Sequence, residues 1–209
     1  MIELLPLYIA LSLPVEVPLP VSRSATTTAT ASQFSIGMLL IDMQDDFLED
    51  IDAREKEREI PNMLRVLEYA GDHKIPLIVL EYKGHEPTIK ELRQKIDSLP
   101  TTVIYITKLD DSGFYNTGLE ARLKNLRINN LVLMGINATG CVMRTAESAL
   151  NHGFRIFTSL DLIAQPSSWV DDQDEGKEGS VWYKKHGTLA KDHHDLLRII
   201  SEKYVQKSP

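Results

Sequence analysis

Short apolar runs recur along the chain, separated by stretches of helical spacing, and this alternation limits the possible folds more than any other feature. The runs are SIGMLLID (Ser35–Asp42), PLIVLE (Pro76–Glu81), TVIYIT (Thr102–Thr107), LVLMG (Leu131–Gly135) and RIFTS (Arg155–Ser159). Runs this short, bounded by turn-forming residues, read as strands buried on both faces. Between them, Arg54–His73, Thr88–Leu99, Thr117–Leu126 and Cys141–His152 carry apolar residues at helical intervals. Pro61 marks a helix start inside the first. Thr88-x-x-Glu91 and Thr117-x-x-Glu120 have the spacing of capping boxes, and Gly153 ends the fourth. Asp192–Tyr204 reads as a closing helix, with no clear sixth strand after it. Strand and helix in alternation require parallel crossovers, so the fold class is α/β: a doubly wound parallel sheet with helices on both faces.

Two regions depart from this rhythm. Residues 1–33 hold Pro6, Pro14, Pro18 and Pro20 and the low-complexity stretch SATTTATAS, and read as a Pro/Thr/Ser-rich N-terminal extension before a domain of residues 34–209. Ser167–Lys185 carries the acidic stretch DDQDEGKEG, expected to be solvated loop. The apolar run Leu4–Leu13 is too short to span a bilayer. It has the length of a signal-peptide core, but Glu3 stands where positive charge is expected. A net charge of −7 argues against nucleic acid and anionic membrane as partners. The single cysteine, Cys141, cannot form an intramolecular disulfide, so the expected compartment is reducing and cytoplasmic.

In an open parallel sheet, ligands bind beyond the carboxyl ends of the strands. There the sequence places Asp42 after the first strand, Tyr82 and His85 after the second, Lys108 after the third and Cys141 after the fourth. A cysteine opening a helix meets free amides that favour a thiolate and can hold an oxyanion. A carboxylate can take the thiol proton and return it to a leaving amine. With strand order 3-2-1-4-5, Lys108 starts two strands from Asp42, about 9.6 Å away; order 2-1-3-4-5 brings them closer, and spacing leaves both open.

LLIDMQDDF (Leu39–Phe47), ITKLDDSGFYNTGLEARLKNLRINNLVLMG (Ile106–Gly135) and GINATGCVMRTAESALNHGFRI (Gly135–Ile156) together resemble the isochorismatase-like cysteine hydrolases, which include nicotinamidases and N-carbamoylsarcosine amidohydrolase. The resemblance covers about residues 34–164, in three motifs in order. It implies a three-layer α/β/α fold with sheet order 3-2-1-4-5-6. It also implies a triad of Asp42 as base and acid, Lys108 as its charged partner and Cys141 as nucleophile. The backbone amides of Asn137 and Cys141 would form the oxyanion hole, and a cis peptide would join Asn137 to Ala138. Gln44 and Phe47 match positions that support or line the substrate pocket, to which Tyr82, His85, Phe114 and Tyr115 are added from the loops. The Asp-x-His pair and further His that hold a metal in nicotinamidases are not matched: His85 stands alone, and zinc wants three or four ligands. No metal or cofactor is expected. The activity implied is hydrolysis of a C–N bond in a small amide, ureide or carbamoyl compound through a thioester, by a homo-oligomer (dimer or tetramer). Two alternatives stand beside it: a metal-free isochorismatase-type hydrolase with Asp42 as acid, and a non-catalytic binding or assembly protein.

Overall fold

The structure, a computed structural model, describes residues 35–166 and 175–204. The expected extension, residues 1–33, lies outside the described residues, as does the first part of the acidic stretch, 167–174. The elements run β1 (Ser35–Ile41), α1 (Asp45–Leu48), α2 (Ala53–Asp72), β2 (Leu77–Tyr82), α3 (Lys90–Asp97), β3 (Val103–Lys108), α4 (Leu119–Asn125) and β4 (Ile128–Ile136). They continue with α5 (Cys141–Asn151), β5 (Arg155–Ser159), β6 (Ile163–Ala164), α6 (Glu175–His186), β7 (Thr188–Ala190) and α7 (His193–Tyr204). The strands form one sheet in the order β3-β2-β1-β4-β5-β7, every ladder parallel. β6 pairs with the last residues of β4, beyond the point where β5 stops.

Side-chain alternation sorts the sheet into two cores. Met38 and Leu40 of β1 and Val132 and Met134 of β4 pack with α2, α3 and α7. Leu39 and Ile41, with Leu131 and Leu133, pack on the other face with α4, α5 and Tyr183 of α6. These strand residues are fully buried, each worth about 1.5–3 kcal/mol relative to exposure. The doubly wound α/β/α class expected from the sequence is the class observed.

Several local expectations are corrected. Pro61 lies inside α2 rather than at its start; the helix begins at Ala53, and Asp52 caps it by accepting from Arg54 N–H at 2.8 Å. Thr88 does not cap α3: the helix begins at Lys90 with Ile89 in the cap position, and Thr88, one residue earlier, donates its N–H and its hydroxyl to the Glu81 carboxylate, both at 2.8 Å. Thr117 Oγ1 does accept from Leu119 N–H at 3.2 Å. The box itself does not form, because Gly118 holds the cap position and Glu120 turns away to Lys124 and His152. A further edge strand exists, β7, only three residues long. Gly187 before it packs so closely on Ile156 that a Cβ would sit 2.5 Å from that side chain. The acidic stretch is loop only in name from Glu175 onward, where it winds into α6, and Tyr183 anchors that helix inside the core with 1% exposure.

Candidate active site

β1 delivers Asp42 to the carboxyl edge of the sheet. Its φ is +51°, a left-handed conformation that aspartate tolerates better than most residues. β3 ends in Lys108, whose neighbour in register on β2 is Tyr82. The lysine stem crosses the end of β2, with Nζ 4.0 Å from the centre of the Tyr82 ring, and reaches Asp42 Oδ2 at 2.8 Å. The order 3-2-1-4-5 therefore holds, and side-chain length covers the gap. Lys108 is wholly buried and Asp42 is 1% exposed. Nζ also donates to the Asp110 carbonyl at 3.0 Å and lies 3.5 Å from Cys141 Sγ. The Asp42–Lys108 contact is a buried ion pair, and the Cys141 thiol is a second neighbour of the carboxylate. Burial raises the Asp42 carboxyl, against the pull of Lys108.

Cys141 opens α5 after the turn Asn137–Gly140. Gly135 makes this turn possible: its φ is +132°, and a Cβ there would meet the Ile41 carbonyl oxygen at 2.0 Å. The turn is pinned from several sides. Ala138 N–H donates to Ala164 O at 2.8 Å, Thr139 N–H to Gln165 Oε1 at 2.9 Å, and the Tyr183 hydroxyl to Ala138 O at 2.7 Å. The cis peptide is Ile136–Asn137, not Asn137–Ala138. β4 keeps its ladder through Ile136, so the cis bond directly follows the last residue of the strand, one bond earlier than expected. The helix N-terminus does not leave a resting thiolate. Burial pushes the Cys141 thiol up to about 12, with Asp42 and Asp111 adding to the rise and Lys108 opposing it.

A cavity of about 360 Å³ lies above the thiol, with Cys141, Gly140 and Asn137 at its base and Phe47, Tyr82 and His85 in its wall. The three rings touch one another, Phe47 and His85 with centroids 4.4 Å apart. Gln44 does not line this space. It is buried and clamps the end of β2, donating to Tyr82 O and Glu86 O and accepting from Tyr82 N–H at 2.6 Å. Phe114 and Tyr115 are elsewhere. Gly113 N–H is held by Thr145 Oγ1 at 2.9 Å and Ser112 by Ser148 at 2.7 Å, which draws this loop down along α5. Phe114 then stacks on His152, and Tyr115 is 61% exposed. Sequence reading missed Asp50 and Asp111, both in the cavity wall. Asp111 accepts from the Cys141 thiol at 3.7 Å, and the pattern LDDSG offered no means of telling it from its neighbour Asp110.

His85 Nδ1 lies 2.9 Å from Asp46, and among the described residues no group of three or more His, Cys, Asp or Glu is placed to hold a metal ion. Among the same residues no helix is long and apolar enough to cross a membrane.

Comparison with known proteins agrees with this fold. A model of the isochorismatase domain matches residues 37–176. The chain is 26% identical over 146 residues to the isochorismatase family protein YaaI of Bacillus subtilis strain 168, covering 62% of this chain and 81% of that one. The nicotinamidase of Staphylococcus aureus superposes with a TM-score of 0.63 at 19% identity, over 76% of this chain and 98% of its own. The N-carbamoylsarcosine amidase of Thermoplasma acidophilum gives 0.61 at 20%, over 75% and 95%. At such identities the structural likeness speaks for the fold, while the domain match spans most of the described chain. With its parallel sheet, its buried Asp42–Lys108–Cys141 network and this match, the protein belongs to the isochorismatase family.

Proposed function

We propose that this protein is a cysteine hydrolase that cleaves the C–N bond of a small amide, ureide or carbamoyl compound. The observation that carries the reading is Lys108 Nζ held between Asp42, at 2.8 Å, and Cys141, at 3.5 Å, beneath a cavity. Cys141 rests as a thiol, so attack and proton loss go together. Sγ forms a bond to the substrate carbonyl carbon while Asp42 takes the thiol proton. The oxyanion is received by the backbone amides of Asn137 and Cys141. Collapse breaks the C–N bond, and Asp42 hands its proton to the departing amine. Water then attacks the thioester with Asp42 as base, which releases the acid and restores the thiol. The raised Asp42 carboxyl suits this double role, since burial makes it a stronger base than a solvated carboxylate and lets it hold the proton it has taken. A cavity of about 360 Å³ is in the size range of small-molecule sites, which weighs against a purely structural role.

The same raised carboxyl suits a second reading, in which Asp42 protonates a vinyl ether and Cys141 is a bystander. Intact mass spectrometry during turnover of an amide and ureide panel, read beside ammonia release, separates the two. The hydrolase reading expects an acyl adduct on Cys141, and a Cys141→Ala variant that keeps its circular dichroism but loses at least about 10³-fold in rate. Full activity in that variant sinks it. The need for a reduced thiol supports a cytoplasmic setting, and the family resemblance supports a homo-oligomer.

A further inference from the structure

The cavity wall has a charge pattern of its own. Asp50 and Asp111 face it from different loops, one after α1 and one after β3. Neither carboxylate makes an ion pair among the described residues. Among the described residues no lysine or arginine lines the cavity, and Lys108 beneath it is wholly buried and bound to Asp42 and the Asp110 carbonyl. His85, the lining residue able to carry positive charge, is already turned to Asp46 at 2.9 Å. The rest of the wall is Pro166 and an aromatic group, Phe47, Tyr82 and His85 in mutual contact. One face of Tyr82 already bears the Lys108 ammonium at 4.0 Å. Carboxylates without counter-ions beside aromatic faces are the surroundings that attract a cation, and they repel an anion.

We propose that the substrate is cationic: a small amide or ureide bearing an ammonium, quaternary ammonium or guanidinium group, which lies against Asp111 and Asp50 beside the aromatic wall while its carbonyl meets Cys141. This rests on the hydrolase reading above and adds the substrate class to it. The position of Asp111 gives the charge a second effect. Its carboxylate lies 3.7 Å from Sγ, and the charged or titratable groups around the thiol are Asp42, Lys108, Asp111 and Tyr82. Of these, Asp42 and Asp111 oppose thiolate formation. A cation seated on Asp111 offsets one of the two, so the correct substrate eases loss of the thiol proton and a neutral one does not.

The test uses three amides of matched length: 4-(trimethylammonio)butanamide, its neutral isostere 5,5-dimethylhexanamide, and the monoamide of glutaric acid. Binding is measured by calorimetry on the full-length Cys141→Ala variant and turnover by ammonia release with the unmodified enzyme. The cation is expected to bind about tenfold more tightly than the neutral amide, with the anion weakest. Asp50→Asn combined with Asp111→Asn should shrink the preference to within about twofold. Asp111→Asn alone should also speed alkylation of Cys141 by iodoacetamide at pH 8 by roughly twofold or more, a readout that a merely structural aspartate would not move. Equal or tighter binding of the neutral amide, or no binding of any of the three, overturns the inference. A cationic preference in binding without ammonia release from any member keeps the charge assignment and instead sinks the hydrolase reading.

Discussion

Lys108 shows how much a single side chain can decide. Its ammonium is wholly buried, which is costly unless paired, and the pairing with Asp42 at 2.8 Å offsets that cost while fixing both groups beside the thiol. The residue types at the centre of the site were legible because each stands at a strand end or just after the turn that follows one, where a parallel sheet presents its chemistry. Asp111 and Asp50 were not, because a loop carries no periodicity to say which of two adjacent aspartates turns inward. Glu59 is a second buried charge, on α2, 2% exposed with Arg58 Nη2 at 3.0 Å. Burial pushes its carboxyl from 4.5 up to about 7. The folded state thus holds this proton more tightly than the unfolded chain does. Its contribution to stability is fully present below about pH 4.5 and is lost as pH rises to about 7, on the order of 3 kcal/mol in all. Glu59→Gln, which can still accept from Arg58, should raise Tm by roughly 5 °C at pH 8 and by under about 1 °C at pH 4.5. Equal gains at the two pH values in a thermal melt would refute the assignment.

At the level of elements, the hydrophobic pattern located β1 to β5 and helices α2 to α5 between them but not α6 or β7, and several local errors fall where a tertiary contact outcompeted a local signal. Thr88 was read as a cap because its spacing to Glu91 is right, yet its N–H and hydroxyl are held by the Glu81 carboxylate and the helix starts one residue later, at the Ile89 cap. Gly153 behaves as its sequence position suggests, with φ of +83° just past α5 and its N–H donating to Leu150 O at 2.9 Å. Pro61 is the sharper case. It lies eight residues past the first residue of α2, where it lacks the N–H that would meet the Glu57 carbonyl. The helix continues through it because Met63, Val66, Leu67 and Ala70 beyond it are buried against the sheet. Interior proline is costly, by about 3 kcal/mol against alanine. Pro61→Ala should therefore raise stability by about 1–3 kcal/mol in denaturant unfolding with an unchanged slope. A loss of stability would mean that the proline is needed for the path of α2 against the sheet.

On the scale of the whole molecule, every described strand and helix lies within Gln33–Pro209. We propose that residues 34–209 are the folding unit. A chain starting at residue 34 should keep its circular dichroism and a Tm within about 2 °C of the full chain; failure to fold would make residues 1–33 part of the unit. Alternation of apolar runs with helical spacing by itself determined the parallel α/β class, and three motifs in order pointed to the family. Both are consequences of local chemistry repeated along the chain, which a sequence displays directly. Only the tertiary structure decided that Lys108 spans β2 to reach Asp42, that the thiol rests protonated, that Phe114 leaves the pocket and that Asp50 and Asp111 enter it. Those facts depend on distances between residues far apart in the chain and on how deeply each charge is removed from water, and neither quantity exists until the sheet has closed around them.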